Sequence, residues 1–333
     1  MMKEVLNELI AGHTLSQKTS KSLLIEIGEG KHNNCQIAGL LSIIAFRGIT
    51  PQELKGFRDA LLELAVKPKI DGSDMIDIVG TGGDGKDTFN ISTTSSFVVA
   101  GAGYKVAKHG NHGVSSSVGS STVLEYLGIK FTNEESLLQT FLDEAKICFF
   151  HAPLFHPAMR FVGPPRKELA IKTFFNMLGP LVNPIQPKYN LFGTYNIDVL
   201  NLYGDILKNS GKAYTLVHAL DGYDEVSLTS ETQIITHEGE QLVSSNDFGL
   251  KTWQQADLYG GGNVQESAKL FLSVLDNDSK QAHKEVVCAN AALAIQVFEA
   301  EKSFVECVDI AKESIESGKA KATFKKLIAL SAK

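Results

Sequence analysis

The glycine loop Gly80-Thr81-Gly82-Gly83-Asp84-Gly85 satisfies G-x-G-x-x-G, a pattern whose glycines let a backbone approach a pyrophosphate. A dinucleotide site also needs an acidic residue about 20 positions on to hold a ribose hydroxyl. The 37 residues from 88 to 124 contain neither Asp nor Glu. A nucleoside-triphosphate loop fits the spacing of Gly80 and Gly85-Lys86, but Asp87 stands where that motif has its magnesium-binding hydroxyl and would repel a triphosphate. The plain alternative is a structural turn. The next segment argues for an anion. Asn90-Ile91-Ser92-Thr93-Thr94-Ser95-Ser96 crowds amides and hydroxyls at a helix start, where free N–H groups and the dipole favour negative charge. A second hydroxyl-rich run, 115–122, precedes the helix-like Val123-Leu124-Glu125-Tyr126. Lys105, Lys108, His109 and His112 lie in the same acid-free stretch. Two helix starts and Lys108 therefore converge on one polyanionic small molecule; the bland reading is a Ser-rich loop with a satisfied lysine.

Asp224 and Glu225 follow a β-like run and a glycine turn, which puts two hard oxygen ligands at the end of a strand. Without other support such a pair is a solvated turn. His151 and His156 are open between packed loop residues and pocket residues.

The elements that must position these groups change character along the chain. Residues 3–66 show helical periodicity only, with stripes at Val5, Leu6, Leu9 and Ile10, at Leu23, Leu24 and Ile27, and at Ile37, Leu40, Leu41 and Ile44. Thr50-Pro51-Gln52-Glu53 predicts a helix start with a capping box and proline at the first helical position. After the turn cluster Asp71-Gly72-Ser73-Asp74, β-like runs at 75–79, 104–107, 147–150, 191–192 and 215–220 alternate with helical stretches, including one from about Ser92, as in a parallel or mixed α/β sheet. Helices near 267–274, 284–300 and 304–317, the last ending at Gly318, complete the pattern.

Composition bounds the class. At 333 residues, 43% apolar and 21% charged, the chain is long enough for about two folded domains. A net charge of −6 provides no global field for holding a polyanion such as nucleic acid. Cys35, Cys148, Cys288 and Cys307 contain no Cys-x-x-Cys pair and read as reduced, buried thiols. Nowhere do 18 uncharged apolar residues run together, so a soluble, cytoplasmic protein without membrane partners is expected.

With its glycine loop, Asn90-Ile91-Ser92-Thr93 and Lys108-His109-Gly110-Asn111, the sequence resembles the anthranilate phosphoribosyltransferases of tryptophan biosynthesis. His156-Pro157-Ala158-Met159, Arg166, Phe175-Asn176-Met177-Leu178-Gly179-Pro180-Leu181-Val182-Asn183-Pro184, Asp221-Gly222-Tyr223-Asp224-Glu225 and Gly260-Gly261-Gly262 carry the resemblance across essentially the whole chain. It implies a small all-helical domain joined to a larger α/β domain with a mostly parallel sheet, similar to pyrimidine nucleoside phosphorylases. The implied helical domain is 1–72 with a returning segment at about 168–188, and the α/β domain is 73–167 and 189–333. The active site would lie between the domains, and two copies would pair through the helical domain.

The implied reaction transfers the phosphoribosyl group of 5-phosphoribosyl-1-pyrophosphate (PRPP) to the amine of anthranilate, releasing pyrophosphate. Carried over residue by residue, Gly80, Gly83, Asp84, Thr88, Asn90, Ile91, Ser92, Thr93, Lys108, His109, Gly110, Asn111, Ser115, Ser116 and Ser120 hold PRPP. Gly80, Asn111, His156 and Arg166 hold anthranilate. Lys108, Asp224 and Glu225 act in catalysis, and two magnesium ions are implied at Ser92, Asp224 and Glu225. The sequence departs from the family's usual residues at Lys172, at His112-Gly113 and at Thr122, where arginine, Arg-Ala or Arg-Ser, and Asp or Asn are common. A pyrimidine nucleoside phosphorylase is the nearest enzymatic rival. A fold-sharing nucleic-acid binder is the rival from another class, against which the acidic net charge argues.

Overall fold

The computed structural model describes residues 1–86, 88–113 and 118–332. Four helices come first: α1 (Met2–Ile10), α2 (Gln17–Gly28), α3 (Asn34–Arg47) and α4 (Pro51–Leu64). Strand β1 (Met75–Gly80) leads to α5 (Ile91–Gly101), β2 (Lys105–Gly110), α6 (Ser120–Tyr126), α7 (Glu135–Ala145) and β3 (Ile147–His151). Short helices α8 (Ala152–Phe155), α9 (Gly163–Leu169) and α10 (Phe175–Leu178) precede β4 (Tyr189–Gly193), α11 (Ile197–Leu207) and β5 (Ala213–Ala219). Then come β6 (Thr232–Thr236), β7 (Gly239–Val243), α12 (Val264–Leu275), α13 (Gln281–Phe298), α14 (Phe304–Glu316) and α15 (Lys319–Ser331).

Two compact units result: Met1–Pro68 with Ala152–Pro184, and Lys69–His151 with Ile185–Lys333. In the helical unit the side chains of Ser16, Asn33 and Thr50 accept the N–H groups of Thr19, Gln36 and Glu53, which fixes where α2, α3 and α4 begin. The stripes of α2 and α3 are buried as expected. In α1 the buried side is Met2, Val5 and Leu9, while Ile10 is 72% exposed, because the helical repeat through Val5 and Leu9 turns Ile10 outward. The second stretch of this unit starts at Ala152 rather than near 168. The Val66 N–H bonds the carbonyl of Phe155 at 2.8 Å, and Phe174 stacks between Phe57 and Phe175 at 4.3 and 4.6 Å.

The α/β unit is built on a seven-stranded sheet of order β3-β2-β1-β4-β5-β6-β7. Strands β1 to β5 pair in parallel, and β6 and β7 extend the sheet as an antiparallel hairpin. The chain leaves β1 for β2 on one side and later lays β4 on the other, so the strand order switches direction between β1 and β4. Helix α5 packs on β1, β2 and β3, and α13 on β4 and β5. Among the described residues no helix is long and apolar enough to cross a membrane.

Several expectations change. Strand β2 runs on to Gly110, carrying Lys108 and His109 inside the sheet. The hairpin β6–β7 has no counterpart among the expected strands because Gly239, Glu240, Gln241 and Leu242 are exposed and leave no apolar alternation. Gly318 ends α14 in a left-handed turn (φ 78°), but α15 begins immediately after it and buries Ala320, Phe324, Leu327 and Leu330. Cys35 is exposed, whereas Cys148, Cys288 and Cys307 are buried; all four are free thiols.

Glu53 ties the helical unit together. Fully buried, it accepts the Leu15 N–H at 2.8 Å, Arg47 Nη2 at 2.7 Å, and the Thr50 N–H and hydroxyl at 2.9 Å each. Glu53→Ala leaves the guanidinium and two backbone donors without their acceptor. Urea unfolding is expected to show a loss of roughly 3–5 kcal/mol, with Glu53→Gln, which keeps a carbonyl oxygen, losing less.

Candidate active site

The carboxyl ends of the parallel strands carry the loops that the sequence singles out, and the switch between β1 and β4 is where α/β sheets take ligands. The loop after β1 turns on Gly82, Gly83 and Gly85, all with positive φ. Asp224, on the loop after β5, accepts the Gly82 N–H at 2.7 Å. Its segment lies so close to the strand ends that a Cβ on Gly80 would stand 2.1 Å from Asp224 Oδ2, and one on Gly193 would stand 1.5 Å from the Asp224 carbonyl oxygen. Only glycine fits at either position.

Glu225 is 6% exposed and accepts the hydroxyls of Thr88 and Ser92, each at 3.2 Å. Burial, and then the charge of Asp84, push the Asp224 carboxyl up to about 7. Burial followed by the charges of Asp224 and Asp84 raises Glu225 well above the ordinary carboxylate range. Burial also raises Asp84. Lys108 is buried beside them in electrostatic reach and bonds the Ile78 carbonyl; burial brings its ammonium down to about 8 against the pull of Asp77, Glu225 and Asp224. Crowded, desolvated carboxylates with two hydroxyls form a hard oxygen set that fits a divalent cation such as magnesium. Asn90 Oδ1, at the start of α5, is buried, and among the described residues no donor reaches it. The start of α5 has no side-chain cap. Both features leave polar capacity for a ligand.

Residues 72–321 match the family described as "Glycosyl transferase family, a/b domain", and residues 3–65 match "Glycosyl transferase family, helical bundle domain". The anthranilate phosphoribosyltransferase of Christiangramia forsetii is 52% identical over 99% of this chain and 99% of its own length. That of Cytophaga hutchinsonii is 50% identical over 98% of this chain and 100% of its own.

The chain belongs to the anthranilate phosphoribosyltransferase family.

The crystal structure of the Thermus thermophilus member is similar with a TM-score of 0.92 at 31% identity, covering 98% of this chain and 99% of that one. The Saccharomyces cerevisiae enzyme in complex with PRPP and Mg shares the fold at a TM-score of 0.92 and 24% identity, over 99% of this chain and 98% of that one.

The family's motif residues distribute over both units. The α/β unit brings Gly80, Thr88, Ser92, Lys108, Asp224 and Glu225 together through the contacts above. Gly83 lies in the loop after β1, and Ile91 and Thr93 in the buried first turn of α5. His109 is held by its N–H on the buried carboxylate of Asp77, at 3.1 Å. Ser120, at the start of α6, donates its hydroxyl to the Asn111 carbonyl at 3.2 Å and closes against Gly110, where an added Cβ would meet Ser120 Oγ at 2.7 Å. Ser115 and Ser116, like Asp87, lie outside the described residues.

Arg166 and His156 belong to the helical unit. Arg166, on α9, is partly buried, lies 5.2 Å over the Phe175 ring, and among the described residues pairs with no carboxylate. His156 is 4% exposed with Nε2 2.9 Å from the Val182 carbonyl, and burial holds its imidazole down at about 4, a neutral ring packed against the chain.

Three positioning residues are not singled out by the sequence. Gly193 admits Asp224; the strand-end glycine after Leu191-Phe192 is its signal. Asp77 anchors His109 from inside β1. Asn290, buried on α13, accepts the Val226 N–H at 3.1 Å and donates to the Val226 carbonyl at 2.8 Å, pinning the chain just past the acidic pair. A lone Asn among the alanines of α13 is the only hint of it.

Between its ordinary 3.8 and about 7, Asp224 binds a proton more tightly folded than unfolded, so its contribution to stability falls as pH rises through that window. In EDTA, Asp224→Asn is therefore expected to be more stable than the parent at pH 8 by at least about 1 kcal/mol. Urea titrations are expected to show that gain shrinking as pH approaches 4.

Proposed function

We propose that this chain transfers the phosphoribosyl group of PRPP to the amine of anthranilate, the activity for which its relatives are named. The observation that carries the reading is the meeting of Asp224 and Glu225 with the glycine loop, Thr88, Ser92 and Lys108 at the strand switch. A phosphorylated sugar pyrophosphate needs such a mixture of backbone donors, hydroxyls and a cation.

The donor lies along the Gly80–Gly83 loop, Asp84 and the start of α5, with Asn90 Oδ1 and the hydroxyls of Thr88 and Thr93 for its polar groups. The Ile91 backbone, His109, Gly110, Asn111 and Ser120 complete its cradle. Ser92 serves one magnesium ion and the pair Asp224–Glu225 a second. When bound, magnesium neutralises charge on the pyrophosphate. Lys108 adds positive charge at the same place, and its lowered pKa reflects the cost of burying that charge, which the pull of Asp77, Glu225 and Asp224 offsets only in part.

Anthranilate is a neutral arylamine with a carboxylate. Its nitrogen lone pair attacks the anomeric carbon, the C1–O bond electrons leave with pyrophosphate, and the new nitrogen cation releases its proton afterwards. No base is needed before attack. Arg166 binds the carboxylate through its planar guanidinium, which lies over the Phe175 ring, and the family's motifs assign Asn111 and Gly80 to anthranilate as well. His156 supports the acceptor pocket as a neutral, packed ring.

Fluorescence of anthranilate gives the direct test: it is expected to be consumed only when PRPP and magnesium are both present, and to persist in excess chelator. Turnover of uridine or thymidine with phosphate instead would overturn the reading. Arg166→Ala is expected to raise the KM for anthranilate roughly ten- to a hundredfold, from loss of a charged hydrogen bond worth about 1.5–3 kcal/mol, with the KM for PRPP nearly unchanged. Equal losses for both substrates would make Arg166 a structural residue.

A further inference from the structure

A group of side chains outside the acidic pair has the makeup of a second, chemically different metal site. His112 follows β2, Glu125 lies on α6, and His151 ends β3. One ligand atom from each lies within 4.8 Å of the other two. His112 Nδ1 is 3.7 Å from Glu125 Oε2, and the two histidine rings meet edge to face with centroids 5.0 Å apart. The fold explains the convergence. Parallel register sets Gly110 beside His151, so the chain leaving β2 passes the end of β3. On α6, Ser121 and Glu125 are one turn apart and share a face. Ser121 Oγ lies 2.9 Å from His151 Nδ1, and Phe131 stacks on the same ring at 4.6 Å and 13°, so that imidazole is fixed in plane and orientation. His112 and Thr122, two positions where the sequence departs from the family's usual residues, also meet here, with Thr122 Oγ1 3.4 Å from His112 Nδ1.

Two imidazoles and one carboxylate suit a borderline ion of the zinc class, whereas the carboxylate–hydroxyl set at Glu225 suits a hard one. We propose that His112, Glu125 and His151 bind one divalent transition-metal ion of the zinc class, leaving a fourth position to water. Ligand atoms around tetrahedral zinc stand about 3.4 Å apart. His112 and Glu125, 46% and 47% exposed, have the freedom to close that gap onto the fixed, buried His151. Their exposure also leaves an entry path for the ion. A bound ion ties the segment beyond β2 to α6 and β3. Asn111 directly precedes His112, so occupancy stiffens the stretch that carries it.

Calorimetric titration of the full chain with ZnCl2, in buffer holding excess MgCl2 so that hard sites are filled, is expected to give one zinc per chain in the micromolar range. His112→Gln and Glu125→Gln, both at exposed side chains, are each expected to weaken it by more than the roughly 10–100-fold that loss of an outer partner costs, and Ser121→Ala by about that outer-partner factor. Asp224→Asn leaves zinc affinity unchanged. Cobalt in place of zinc is expected to show the visible bands of a tetrahedral nitrogen–oxygen site. Zinc affinity unaltered in both Gln variants, or no zinc binding below the millimolar range, would overturn the proposal and leave His112 and Glu125 as a surface ion pair.

Discussion

The α/β unit depends on one close approach, that of Asp224 onto the ends of β1 and β4. The carboxylate sits where Gly80 leaves no side chain and the backbone carbonyl where Gly193 leaves none, and the segment is clamped from behind by Asn290 on α13. This brings Asp224 and Glu225 out of water and beside Asp84, an arrangement that disfavours the charged forms of all three. Such crowding is unfavourable for the isolated fold. It makes sense as a site held ready for a cation and a polyanion, whose charges offset one another once both are present.

The sheet makes that placement rigid. Because β1 to β5 are parallel, their carboxyl ends form one rim, and every loop leaving the rim reaches the same space. The glycine loop after β1 supplies backbone, α5 supplies an uncapped helix start, β2 supplies Lys108, and the loop after β5 supplies the carboxylates. The helical unit follows a different logic. Its core is organised around Glu53 and its neighbouring donors, and it contributes a guanidinium held over an aromatic ring rather than a phosphate cradle.

Two kinds of ligand set are separated within the α/β unit. Hard carboxylate and hydroxyl oxygens gather at Glu225, while imidazoles gather at the ends of β2 and β3. The first set has the chemistry of a hard ion and the second that of a borderline one.

Chemistry written in consecutive residues is legible in the sequence by itself. The cap at Thr50, the positive-φ glycine loop, the runs that become β1 to β5 and the apolar stripes of α2 and α3 each follow from short-range sterics or a fixed period, and the family's motifs are contiguous. At Ile10 the local period is also present and only its phase differs from what the sequence suggests, whereas α15, after Gly318, is a helix that the sequence reading does not contain. What only the tertiary structure decides rests on residues far apart in the chain. Gly193 under Asp224, Asn290 behind Val226, Asp77 beneath His109, and the meeting of His112, Glu125 and His151 arise from strand order and helix packing, which no spacing along the sequence encodes. The exposed strand β7 is hidden for the related reason that its pairing comes from backbone bonds to β6 rather than from an apolar pattern.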